Sequence, residues 1–232
     1  MDVLTDDHER EQVVRKWWHE NWKPILLGVA IALGGLIGWR QYQQYQLHQA
    51  QEQAYALYQL ETKLALRAEG ADAEAQNFVN AHEDIYGALL SLDLAAAKGR
   101  AGDYAKAEEH ARFASLHGGD LVAPAAALVQ ARLQAQQERY DEALTTLGTI
   151  SSAAYAIEKA ETTGDIALAK GERSAAHDAY KQALDLSVER GVEISPLLHT
   201  KFDSVTKGGD RPGFEIASEN KLKLLQSGAL TH

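Results

Sequence analysis

Residues Gln130–Ile150 read QARLQAQQERYDEALTTLGTI, a helical apolar pattern interrupted once at Glu138-Arg139-Tyr140. Two other segments line up with it: Leu94–Ala114, LAAAKGRAGDYAKAEEHARFA, and Thr163–Ala183, TGDIALAKGERSAAHDAYKQA. Five columns recur. They are Ala95, Ala131 and Gly164; Tyr104, Tyr140 and Arg173; Ala107, Ala143 and Ala176; Ala111, Leu147 and Tyr180; and Ala114, Ile150 and Ala183. The spacings are 36 and 33 residues. A repeat of this length is one helical pair that cannot bury its apolar face alone, so copies must stack.

The columns have a physical reading. The first and third are small because the two helices of a pair cross there at close range. The interruption is the turn, and a tyrosine beside it covers the junction. The last two columns face the next pair. This pattern resembles the tetratricopeptide repeat, a helix–turn–helix unit of about 34 residues. Arg173 departs from it, and a looser junction is expected there. Repeats of this kind bind partners on the inner surface made by their first helices. Counting from Ala95 and Ala131, that surface is expected to include Leu92, Ala96, Arg100, Leu128, Arg132 and Gln136. It mixes apolar groups with two arginines, suited to an amphipathic or extended partner segment whose carboxylates the arginines pair.

Working outward, residues 41–69 read as one helix. It begins Gln-rich and solvated, then carries a stripe of Ala50, Ala54, Leu57, Tyr58, Leu60, Leu64 and Leu66. Gly70 is expected to stop that helix, with Asp72 capping the next. Residues 50–86 thus predict a degenerate helical pair. Pro196 to Val205 predicts a closing helix over the last open face. After Thr206 the pattern is lost and a mobile tail is expected through residue 232. With strand patterns absent and Ala, Leu, Gln and Glu abundant, the fold class is all-α, an α-solenoid behind an N-terminal membrane helix.

That membrane helix is WKPILLGVAIALGGLIGWRQYQQYQ, Trp22–Gln46. Trp22 to Trp39 is long enough, at about 1.5 Å per residue, to cross a bilayer core of roughly 30 Å with its flanks. All four tryptophans lie at or near its ends, where an indole keeps its ring apolar and its N–H wet. A cleaved signal peptide would need a small-residue site, and Trp39-Arg40-Gln41-Tyr42 offers none. A buried core helix would not collect aromatics at both ends. Arg10, Arg15, Lys16 and Lys23 precede the span; after Arg40 no Lys or Arg appears before Lys63. This asymmetry predicts a cytoplasmic tail (1–21), a signal anchor (22–40), a periplasmic repeat domain (41–205) and the tail (206–232). Ala30, Gly34 and Gly38 form a small face on the span, fit either for close helix packing or for nothing more than a glycine-rich membrane helix.

The chain has no cysteine, so disulfides and cysteine-ligated metals are excluded. Beyond residue 40 there are 18 Lys and Arg against 27 Asp and Glu, which argues against a nucleic-acid surface. The nine histidines include His8-Glu9, His19-Glu20 and His82-Glu83, none with the second histidine of a zinc-binding helix. His110 and His117 can align on a helix, yet Gly118-Gly119 places His117 at its end, where a cation suits the dipole. Phosphate-cradling glycine loops and nucleophile elbows are absent, and Gly208-Gly209 has no element to position it. No catalytic constellation, cofactor or metal is expected.

The whole layout resembles the YfgM-like ancillary subunits of the bacterial SecYEG translocon. The residues that carry the resemblance are EREQVVRKWWHENWKPILLG (Glu9–Gly28), the glycine-rich span closing at Gly38-Trp39-Arg40, the stalk, the repeats, and Pro196-Leu197-Leu198. The resemblance covers roughly residues 9–205. It implies a type II bacterial inner-membrane protein that associates with the SecYEG translocon and with a membrane-anchored periplasmic chaperone of the PpiD kind. It also implies a part in handing secreted client proteins to periplasmic folding factors during export. A repeat scaffold of another cell-envelope complex is the alternative, and an enzyme or enzyme regulator is the remaining class.

Overall fold

The computed structural model describes residues 3–207 and 209–227, with side chains from Val14 onward. The side chains of His8, Glu9 and Arg10, and the whole of Gly208 and the stretch 228–232, therefore lie outside what is described. The chain forms ten α-helices among the described residues: α1 Val3–Ala65, α2 Ala71–Ala81, α3 Ile85–Arg100, α4 Tyr104–His117, α5 Gly119–Gln136, α6 Tyr140–Gly148, α7 Ala156–Ala169, α8 Arg173–Glu189, α9 Pro196–Asp203 and α10 Gly213–Gln226. A 3₁₀ turn, Ala153–Tyr155, precedes α7, and no strand occurs among the described residues. The chain divides into two compact units, Met1–Ala56 and Leu57–His232, taken separately here.

In the second unit the repeat columns are the core. Ala95, Ala131 and Gly164 are buried, as are Ala107, Ala143 and Ala176. So are Ala111, Leu147 and Tyr180, and Ala114, Ile150 and Ala183. The pairs are α3/α4, α5/α6 and α7/α8. Ala127, Ala131, Ala143, Leu147 and Ile150 pack with Ile166 of the following pair, so the second repeat closes on the third. Polar groups also bridge repeats: Glu108 of α4 accepts hydrogen bonds from Gln134 and Gln137 at 3.0 Å each and pairs with Arg139.

The turns share one device. α3, α5 and α7 are each followed by a residue with positive φ: Gly102 (81°), Glu138 (62°) and Gly171 (82°). The amide after each reaches back five residues, from Asp103 to Lys98, Arg139 to Gln134 and Glu172 to Ala167. This left-handed termination satisfies the last carbonyls, and glycine adopts it without strain. Tyr104 and Tyr140 stand half-buried beside the first two turns. Arg173 is exposed, but its guanidinium donates to the Ser204 carbonyl at 2.6 Å. The third junction is thus tied to the closing helix rather than loosened.

The third pair also exchanges sizes. Tyr180 fills the position held by Ala111 and Leu147, and Gly164 replaces alanine opposite it. A Cβ on Gly164 would lie 2.5 Å from two ring carbons of Tyr180. The glycine is there because the ring needs its space.

A degenerate pair precedes the repeats. Leu57 and Leu60 of α1 pack with Ala75 and Val79 of α2 and with Leu90 and Leu94 of α3. Two details correct the sequence reading. Tyr58 and Leu66 are exposed, so the inward stripe is Leu57, Leu60 and Leu64. Gly70, not Asp72, occupies the N-cap of α2, in a left-handed conformation with no side-chain cap; Asp72 sits in the first turn and pairs with Lys98 at 2.5 Å.

At the other end, α9 closes the stack as expected. Ser195 Oγ accepts from the Leu198 amide at 3.1 Å, Pro196 starts the helix, and Leu198, Phe202 and Val205 are buried. The expectation of a patternless tail fails for 213–226, which form α10. Ile216 and Ala217 pack on the terminal core, and Leu224 is buried. Asn220, also buried, donates to the Val192 carbonyl at 2.8 Å, and the Gly213 amide donates to Asp203 Oδ1 at 2.5 Å. An asparagine in the middle of the apolar stripe hid the helical period; its partner is a loop carbonyl that only folding supplies.

Candidate functional site

Two features of the chain can meet other molecules: the apolar part of α1 and the surface of the repeats. In α1, one stretch is long and apolar enough to cross a membrane, and none of it is buried against protein. Ile25, Leu26, Leu27, Val29, Ile31, Leu33, Leu36 and Ile37 are all exposed, as are Trp17, Trp18, Trp22 and Trp39. So many bare aliphatic side chains need an apolar surrounding that this chain does not itself provide. Nothing approaches the Cβ positions of Gly34 and Gly38 within 4 Å, so the small face with Ala30 is open.

Successive first helices of the repeats touch: α3 meets α5, and α5 meets α7. The second helices, α4, α6 and α8, meet one another at most glancingly. The stack therefore curves with the first helices inside. Along α3, Ile85, Leu89, Asp93, Ala96 and Arg100 fall on one exposed edge, with Leu92 half-buried beside it. Along α5, Arg132 and Gln136 are exposed. Leu128 is not: at 5% exposure it belongs to the core with Ala127 and Ala131. This corrects the sequence expectation, which counted by helical spacing and could not know that α7 closes over that side of α5. Arg132 donates to Thr162 Oγ1 of α7 at 3.1 Å, so one end of its guanidinium is already occupied. Of the six residues counted to that surface, Ala96, Arg100, Arg132 and Gln136 are exposed, Leu92 is half-buried and Leu128 is buried.

Farther along, the inner side turns acidic and is then neutralised. Lys201 of α9 pairs with Glu161 at 2.7 Å and Asp165 at 2.8 Å. Burial works against its charge, but the two carboxylates outweigh it and hold the ammonium above its ordinary range. The Tyr180 hydroxyl donates to Asp165 at 2.8 Å; burial, with Asp165 beside it, pushes its pKa far up. These groups fasten the closing helix α9 to α7.

Three histidines, His110, His177 and His117, are held by contacts within the repeats. Ser91 Oγ donates to the His110 carbonyl at 3.0 Å, and burial keeps the His110 imidazole below its ordinary pKa. His177 is hydrogen-bonded to Asp178 at 2.8 Å and Asp210 at 2.9 Å. His117 ends α4, with its ring stacked on Phe113 at 4.4 Å. No group of three or more potential ligands converges among the described residues.

Comparison with known proteins gives the same picture. A model of the tetratricopeptide repeat-like domain matches residues 15–207. The chain is 33% identical over 192 residues to an ancillary SecYEG translocon subunit of Aggregatibacter actinomycetemcomitans, covering 79% of this chain and 91% of that protein. It is 32% identical over 188 residues to the protein of the same name from Haemophilus influenzae, with the same coverage. To that of Escherichia coli it is 26% identical over 207 residues, 89% of this chain and the whole of the relative. The exposed apolar helix, the stacked helical pairs and these matches agree that the chain belongs to the family of ancillary SecYEG translocon subunits, built on a tetratricopeptide repeat-like domain.

Proposed function

We propose that this chain is a membrane-tethered protein-interaction module that sits beside the SecYEG translocon and links emerging secreted proteins to a membrane-anchored periplasmic chaperone of the PpiD kind. The observation that carries this reading is one chain holding both a bare apolar helix and a curved stack of helical pairs, with relatives named for the translocon. The role is binding rather than catalysis, because the buried polar groups of the repeats are spent on fastening helices to one another. The Lys and Arg excess before Ile25 supports a cytoplasmic N-terminus and a periplasmic repeat domain in the inner membrane. The inner edge of the first helices, Ala96, Arg100, Arg132 and Gln136, receives the chaperone or client, and Ala30, Gly34 and Gly38 pack on a translocon helix. The tether raises effective concentration, so the repeat surface need bind only weakly.

A photo-crosslinking residue at Gly34, and another at Gln136, tests this in intact membranes. Adducts with translocon subunits from the first and with a periplasmic chaperone from the second are expected. Adducts only with components of a different envelope complex would move the chain to the scaffold reading. Protease added to spheroplasts should digest the repeat domain; protection until lysis would reverse the orientation.

A further inference from the structure

The last helix, α10, lies beyond residues 15–207, the part of the chain that matches the repeat-like domain. It covers the end of the stack: Ile216 and Ala217 pack on the core that holds Ile194, Leu198, Phe202 and Val205. The chain just before it is fastened to α8 through one side chain. His177 of α8 is 5% exposed, and both of its ring nitrogens contact carboxylate oxygens. Nδ1 lies 2.8 Å from Asp178 Oδ1 on the same helix, and Nε2 lies 2.9 Å from Asp210 Oδ2, three residues before α10. The ring leans on Phe202 of α9, with centroids 5.2 Å apart.

A carboxylate only accepts hydrogen bonds. A ring that bonds one through each nitrogen therefore carries a proton on both, which is the imidazolium. The neighbouring charges agree. Lys207 Nζ lies 3.2 Å from Asp178 Oδ1, and the Lys207 amide donates to Asp210 Oδ2 at 2.6 Å. Two carboxylates against one ammonium leave an excess negative charge, and the imidazolium cancels it. The other charged groups on the elements around the ring have contacts of their own. On α8, Arg173 donates to the Ser204 carbonyl and Lys181 pairs with Asp185 at 2.6 Å. On α9, Asp203 Oδ1 accepts from the Gly213 amide, while His199 Nδ1 lies 3.9 Å from Asp203 Oδ2. Beside Asp210, Arg211 pairs with Glu219 at 2.9 Å. Bonds from His177 and Lys207 hold the Asp178 carboxyl below its ordinary range, and the Lys207 amide and His177 do the same for Asp210. Both carboxylates thus stay ionised at mildly acid pH. Imidazole is the side chain that ordinarily changes charge between about pH 5 and 8.

We propose that α10 is a proton-controlled cover, seated on the end of the stack while His177 is an imidazolium between Asp178 and Asp210, and loosened when that proton leaves. The neutral ring has one N–H for two carboxylates. Asp178 is exposed and turns to water, and the bond to Asp210 loses the charge on its donor. The loosening is partial, because Asn220 and Lys221 still hold α10 to Val192 and Glu193. The end of the stack, with Leu198 and Phe202, is closed in mild acid and accessible in mild alkali.

Hydrogen exchange of the full chain in non-ionic detergent micelles tests this, at pH 6 and pH 8.5, with exchange times scaled to the intrinsic rate at each pH. Protection of the α10 amides is expected to fall about fivefold or more between the two, while α5 keeps its own. His177→Gln, neutral at both values, should leave α10 at the weaker level throughout. Asp210→Asn, which keeps the histidine, should also remove the pH response. If His177→Gln lowers protection in α5 as well, its fold is damaged and Asp210→Asn decides. Equal protection of α10 at both values in the parent, or loosening at pH 6 instead, would overturn the proposal. So would the parental pH response persisting in either folded variant, which would move the titration to another group such as His199.

Discussion

Replacing Gly164 with alanine should destabilise the repeat domain, against the direction that helix propensity alone predicts. Alanine in a helix interior is favoured over glycine by about 1 kcal/mol. Against this, the new methyl would sit 2.5 Å from two ring carbons of Tyr180 and 3.0 Å from a third. The ring is fully buried, and its hydroxyl is held by Asp165 at 2.8 Å, so it cannot swing aside without losing that bond. Overpacking of such a site costs about 1–3 kcal/mol, and the rigid ring puts this one toward the top of that range. The net effect is a loss of about 1–2 kcal/mol. For a domain of this size that lowers the melting temperature by roughly 2–8 °C, measurable by circular dichroism. Adding Tyr180→Leu recreates the Ala131 and Leu147 pairing of the second repeat. The double variant should therefore be more stable than the sum of the single changes, with a coupling of about 0.5–3 kcal/mol. A melting temperature of Gly164→Ala at or above that of the parent would refute the size-exchange argument.

Ala143→Leu forces a larger side chain into the crossing of α5 and α6, where Ala143 is fully buried, and should cost about 1–3 kcal/mol in urea unfolding; an unchanged midpoint would mean the helices do not cross there. Glu138→Gly relieves a left-handed residue whose side chain makes no hydrogen bond or ion pair among the described residues. The gain, about 0.5 kcal/mol, is partly offset by the greater freedom of glycine in the unfolded chain, and a lower midpoint would contradict the turn assignment. His110 is held neutral by burial, so its folded pKa lies below the unfolded value near 6.5. The unfolded chain binds more protons in that window, and the His110 contribution is complete above pH 6.5 and lost as pH falls below it. Melting temperatures from pH 7.5 to 5 should drop more steeply for the parent than for His110→Gln, and parallel curves would sink the idea.

What the sequence determined follows from periodicity and from hydrophobicity, which are local properties. Small residues recurring at Ala95, Ala131 and Gly164, and again at Ala107, Ala143 and Ala176, specify helix crossings before any coordinate is known. The aliphatic run from Ile25 to Ile37 between tryptophans specifies a segment that no small repeat domain can bury. Pro196 after Ser195 announced the closing helix through backbone chemistry alone. The structure was needed wherever the partner of a residue lies far along the chain. Leu128 has the spacing of an exposed position, but α7 covers it. Asn220 breaks an apolar stripe in sequence and completes one in space, because the Val192 carbonyl satisfies it. Gly164 and Tyr180 belong to two separate columns of the repeat, and only their contact shows them to be one compensated pair. Spacing along one helix tells which residues share a face; only packing tells which faces remain open and which are covered.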